Sequence, residues 1–162
     1  MIRINLMRLV TGATRTEVDR VTRPASKVSF LFKHSFLLDE STVRQFLSFF
    51  EDFEAKYVFD RRVGQLAVCA IEDEIPHRYI ARAKLIDASS EFVFGGELDY
   101  KKTGNSFEFV FSGDSGYYGW PSEPDLRLAA DRLAAILRSA GCSATIKKGS
   151  DATVIVAGSA TK

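Results

Sequence analysis

The sequence predicts an α+β fold: a single domain on a mainly antiparallel, twisted sheet of about six to eight strands, with two helices packed on one face. Three observations carry this. Segments with period-two alternation outnumber helical ones and follow one another across short turns, which favours antiparallel pairing. Only two segments repeat apolar residues at three-four spacing, too few to cross over between every pair of strands. The 162 residues make one domain's worth of chain, with no internal repeat and no linker long enough to divide them.

Residues 2–10 alternate and read as a first strand. Residues 11–27 hold Gly12, Pro24, four Thr and three Arg, and read as a long basic loop of the mobile kind. Val28 to Phe32, extended toward Leu38, reads as a second strand. Asp39-Glu40-Ser41 supplies the acceptors and acidic charge that open a helix. Val43, Phe46, Leu47, Phe50 and Phe53 or Tyr57 then continue one apolar stripe, which places the helix at about 41–57.

Val63 to Ile71 is apolar enough for a central strand. Arg78 to Ile86 alternates, with Tyr79, Ala81, Ala83 and Leu85 on one side and Arg78, Arg82 and Lys84 on the other. Glu91 to Tyr100 alternates too, with Phe92, Phe94 and Leu98 expected inward. Gly95-Gly96 within it marks a bulge or a close backbone approach. A turn at Lys101 to Asn105 leads into a strand with Phe107, Phe109 and Phe111 on one face.

Ser112 to Pro121 contains three glycines and a proline and reads as a loop. Ser122 and Asp125 at capping-box spacing, Pro124 in the first turn and Gly141 after the end bound a second helix at about 123–140. Cys142 to Ile146 and Val154 to Ala157 read as a closing hairpin, and residues 158–162 as a fraying tail.

Composition excludes more than it assigns. With 46% hydrophobic and 27% charged residues and a net charge of +1, the chain is neither a disordered acidic tail, a polycation nor a low-complexity chain. Charge alternates in blocks: residues 1–38 carry +5, 39–60 carry −4, 91–125 carry −5 and 126–162 carry +4. Cys69 and Cys142 show neither CxxC spacing nor a Cys/His cluster, so two reduced thiols are expected, with no disulfide framework and no metal. The opening Met1 to Leu6 lacks an apolar leader core and no run is long enough to span a membrane, so a cytoplasmic protein is expected.

The loop Asp114, Ser115, Tyr117, Tyr118, Trp120 is the first candidate for a partner-binding site. It combines interface-favoured aromatics with a glycine-rich backbone and leads into a helix N-terminus. Gly113-Asp114-Ser115-Gly116 is similar in four letters to the stretch around a serine-protease nucleophile, but the rest of that pattern is missing and no activity is carried over. His34 and His77 are the only histidines, and Glu72-Asp73-Glu74 is read as a solvated acidic turn. Ser106 to Phe111 is similar to the base-stacking strand of RNA-recognition domains. Ser106, Glu108 and Ser112 depart from it, and a core face is the reading preferred. Arg15, Arg20 and Arg23 form a basic cluster suited to an anion or nucleic acid.

No constellation has the spacing of a nucleophilic, metal or phosphate-cradling site. The expected function is a small binding or regulatory module acting through protein–protein contact: an adaptor, inhibitor, immunity-type protein or assembly subunit, self-associating and without a cofactor. The alternatives are a small enzyme or small-molecule binder using Asp114, Tyr117 and His77, and a nucleic-acid binder led by the basic loop.

Overall fold

A computed structural model describes residues 36–49, 52–70, 76–84, 86, 91–114 and 118–160. The expected strand at 2–10, the loop at 11–27 with Arg15, Arg20 and Arg23, His34, the acidic turn at 72–74, and Ser115 and Tyr117 lie outside them. The elements in chain order are β1 (Phe36–Leu37), α1 (Glu40–Phe49), β2 (Asp52–Asp60), β3 (Gln65–Ala70), α2 (His77–Ala83), β4 (Val93–Thr103), β5 (Ser106–Phe111), α3 (Glu123–Ser139), β6 (Cys142–Lys148) and β7 (Val154–Ala160).

The described strands form one open antiparallel sheet in the order β1-β3-β2-β4-β5-β7-β6. β3 and β4 both pair antiparallel with β2, so they run parallel to each other with α2 connecting them. α3 likewise connects β5 to β6, which flank β7 and run parallel to each other.

Alternation sorts the side chains onto two faces. Tyr57, Phe59, Leu66, Val68, Phe94, Leu98, Phe107, Phe109 and Phe111 bury into the larger core with Val43 and Leu47 of α1 and Leu126, Leu133 and Leu137 of α3. Each such side chain contributes about 1.5–3 kcal/mol of transfer free energy. Val58, Ala67, Cys69 and Val93 point the other way and pack with Ile80 and Ala81 of α2. This single α+β domain therefore carries α1 and α3 on one face and a third helix on the other.

Three expectations need correcting. The first helix stops at Phe49, and 52–60 is a strand, not its last turns. Ala55, Tyr57 and Phe59 are buried on the larger-core face at period two, and hydrogen bonding to both β3 and β4 makes β2 interior to the sheet. Residues 77–83 are helix α2, not strand: His77, Ile80 and Ala81 are buried at three-four spacing. Finally, Gly158 to Ala160 do not fray. They pair with Phe107, Ser106 and the start of β6, and the Ala160 N–H donates to the Asn105 carbonyl at 2.8 Å.

The starts of α1 and α3 were read correctly. Asp39 Oδ1 accepts from the Thr42 N–H at 2.9 Å while Thr42 Oγ1 accepts from the Asp39 N–H. Ser122 caps α3 in a full capping box with Asp125, and Gly141 follows its end at φ +87°.

Candidate functional site

The glycine pair in β4 fixes the local architecture. A Cβ on Gly96 would lie 1.8 Å from the Ser112 carbonyl oxygen. That oxygen accepts from the buried Tyr57 hydroxyl at 2.9 Å, and the Ser112 N–H donates to Glu97 O at 3.0 Å. The chain leaving β5 thus crosses directly over Gly96, the close approach expected from the sequence. Burial, and then the Asp125 charge, push the Tyr57 hydroxyl far above its usual pKa, so it remains a protonated donor.

Behind this crossing sits His77, 3% exposed, whose Nε2–H donates to Gly96 O at 2.8 Å. The carbonyl is acceptor-only, so the proton resides on Nε2. Tyr118 packs edge-on to His77 at 6.4 Å and joins the smaller core cluster half-buried. His77 and Tyr118 therefore come together, but as packing against the smaller core cluster. Asp114 is exposed, and its charge bears on Glu97.

Glu97, Asp99, Glu54 and Asp114 crowd one stretch of the second sheet face, where Glu54 stands directly opposite Asp99. Burial, then Asp114, Asp99 and Glu54, raise the Glu97 pKa; Lys56 opposes them. Burial and Glu54 raise Asp99. The sign follows: a carboxyl with a raised folded pKa weakens the fold when ionised, and that cost disappears as the pH falls through the folded pKa. Glu97→Gln is expected to raise the melting temperature at pH 7 by on the order of 2 °C. The gain shrinks on acidification into the carboxylate range, near pH 4. An equal gain across a pH series of melting curves would contradict this.

Trp120 faces the other way. Gly113 at the loop's start meets Pro121 and Trp120 at its end, where a Cβ would lie 2.6 Å from Pro121 Cδ and 3.2 Å from Trp120 Cε3. These two segments therefore lie against each other, and the indole is 75% exposed. Val63, Phe92 and Leu128, at 64%, 39% and 46%, are the other large exposed hydrophobics among the described residues.

These residues belong to one end of the molecule. The Arg61 and Arg62 guanidinium carbons sit over the Phe92 ring at 5.9 and 5.2 Å. Arg61 also bonds Asp125, in the first turn of α3, at 2.7 Å. Gly64 lies against Arg132, where a Cβ would meet Arg132 Cδ at 3.8 Å. Leu128 is on the same helix stripe, between Asp125 and Arg132.

Phe92 was expected inward with Phe94. It precedes the first residue of β4, and its ring forms the floor under two arginines. Sequence reading also missed Arg61, Arg62, Val63 and Leu128. Their one visible signal was Val63 beside two arginines in a polar turn.

An indole, aliphatic tips and arginine forks make a surface that water leaves readily and carboxylates or carbonyls can bridge, the chemistry of docking. The surface depressions lined by Glu40, Ser41, Arg44, Gln45 and Ser48 and by Lys101, Thr103, Ser106, Phe107, Glu108, Ala157 and Gly158 include neither Asp114 nor His77. Among the described residues no three His, Cys, Asp or Glu groups are placed to hold a metal ion, and no helix is long and apolar enough to cross a membrane. No protein-family model, no curated protein and no solved structure matches the chain.

Proposed function

We propose that the protein is a binding module acting through protein–protein contact, with the Trp120, Phe92, Val63 and Leu128 surface as its docking face. One observation carries this: all four large exposed hydrophobics of the described residues lie around the β2–β3 turn and the start of α3. Scattered singly, such residues need no explanation; gathered beside arginines they resemble a hot-spot cluster. The roles that fit are those of an adaptor, inhibitor or assembly subunit. The free thiols of Cys69 and Cys142 suit a reducing, cytoplasmic setting.

The test is capture from the native host by the intact protein and by Trp120→Ala. Truncating an exposed indole leaves the core untouched, which a melting curve verifies. A partner held by the intact protein and lost, by about tenfold or more in affinity, from the variant supports the docking face. The same partners held equally by both would overturn it.

A further inference from the structure

We infer that the second face of the sheet, across β4, β5 and β7, is the docking site of this chain's own basic segment, residues 1–35, held by Glu54, Asp99 and Asp114. The inference concerns a different surface from the Trp120 face and stands or falls apart from it. Among the described residues no helix covers this part of the sheet. α1 and α3 pack on the opposite face, and α2 packs on β2, β3 and the first residue of β4, Val93. Register sets Glu54, Asp99, Val110 and Ile155 side by side on four neighbouring strands. Val110 and Ile155 are half-buried and give the face an apolar floor beside its carboxylates.

Charge names the occupant. Glu54 and Asp99 stand directly opposite, where like charges repel, and Glu97 and Asp114 lie close enough to add to the repulsion. Glu54, Asp99 and Asp114 are exposed and have no ion pair among the described residues, whereas Glu108 on the same face is bridged by Lys147 at 3.1 Å. Residues 39–60 and 91–125, which supply these carboxylates, sum to −4 and −5. Residues 1–35 hold seven Lys or Arg against two acidic residues, a net +5, with Arg15, Arg20 and Arg23 in the middle of the segment. Arg23 is 13 residues ahead of Phe36, enough chain to span about 40 Å, and β1 is three strand spacings, about 15 Å, from β4. Tethering supplies an effective concentration of millimolar order, so exposed ion pairs too weak to hold a free peptide suffice here.

Paramagnetic broadening in the full chain tests this. A spin label is placed on Thr22→Cys, between Arg20 and Arg23, with Cys142→Ser removing the partly exposed native thiol. In low salt the amide signals of Asp99, Val110 and Ile155 should broaden strongly, and those of α1, on the opposite face, should not. About 1 M salt, which cuts the screening length to about 3 Å, should restore all three signals. Glu54→Lys/Asp99→Lys should restore them in low salt, and a melting curve confirms that this variant is folded. Asp114→Lys, outside every strand, should act in the same direction independently. Unbroadened signals at the face in low salt overturn the inference. So does broadening indifferent to salt and to the reversed charges. Mixing spin-labelled chain with isotope-labelled chain that carries no spin label detects contact between molecules. Broadening that crosses in this way makes a second copy the occupant and also overturns the inference. None of these outcomes bears on partner capture through Trp120, so the docking face is judged on its own.

Discussion

Gly96→Ala is expected to destabilise the protein by about 3–5 kcal/mol. The new methyl carbon would occupy a point 1.8 Å from the Ser112 carbonyl oxygen and 2.8 Å from its carbon, both backbone atoms. Neither can swing aside as a flexible side chain would. The Ser112 N–H is held by Glu97 O, and its carbonyl by the Tyr57 hydroxyl. Relieving the clash requires moving the crossing chain by more than an ångström. That breaks the Tyr57 bond and leaves a buried hydroxyl unsatisfied, at about 1–3 kcal/mol, in addition to overpacking costs of similar size. Gly119→Ala is the control, because a Cβ there meets nothing within 4 Å. It should shift stability by no more than about 0.5 kcal/mol. Chemical denaturation of the two variants decides the matter. Near-equal midpoints would mean that the crossing is not the rigid point described.

Phe109→Ala should cost about 3–5 kcal/mol, a large share of the roughly 5–15 kcal/mol that holds a domain folded. Phe109 is fully buried, 4.7 Å from the Tyr100 ring and 5.7 Å from Phe107 in the larger core. Backbone pairing on both sides, with Tyr100 and Val156, prevents the site from collapsing around the void. The melting temperature should fall by roughly 10 °C. Phe92→Ala, half-exposed under its arginines, should cost far less. If the two variants melt together, the division of phenylalanines between core and surface is wrong.

That division was only partly legible in the residues. Phe107, Phe109 and Phe111 announced themselves by strict alternation, and α3 by Ser122, Asp125, Pro124 and Gly141, because capping and turn chemistry are local. The stretch 52–57 was not legible in the same way. Tyr57 falls on the three-four stripe begun by Val43 and also on the period-two row of Ala55 and Phe59. Only pairing with β3 and β4, distant in sequence, selects the second. For 77–83 the alternation of Tyr79, Ala81 and Ala83 was coincidental; the buried set is His77, Ile80 and Ala81. The candidate surface was least legible of all. Its members at 61–63, 92, 120 and 128 come to the same end of the sheet only after crossovers have placed a hairpin turn beside the start of α3. Of them, only Trp120 was expected to be a contact residue.

The position of β7 has a consequence for synthesis. It is made after β6 yet lies inside the sheet, between β5 and β6. While the chain emerges residue by residue, β5 has a partner on one side only and β6 has none. Until residues 154–160 leave the ribosome, both strands present unpaired N–H and C=O rows, the groups on which nascent chains aggregate. The half of the fold that carries α3 therefore completes in a single late event, and a translational pause before Val154 is where this protein is most exposed to misassembly.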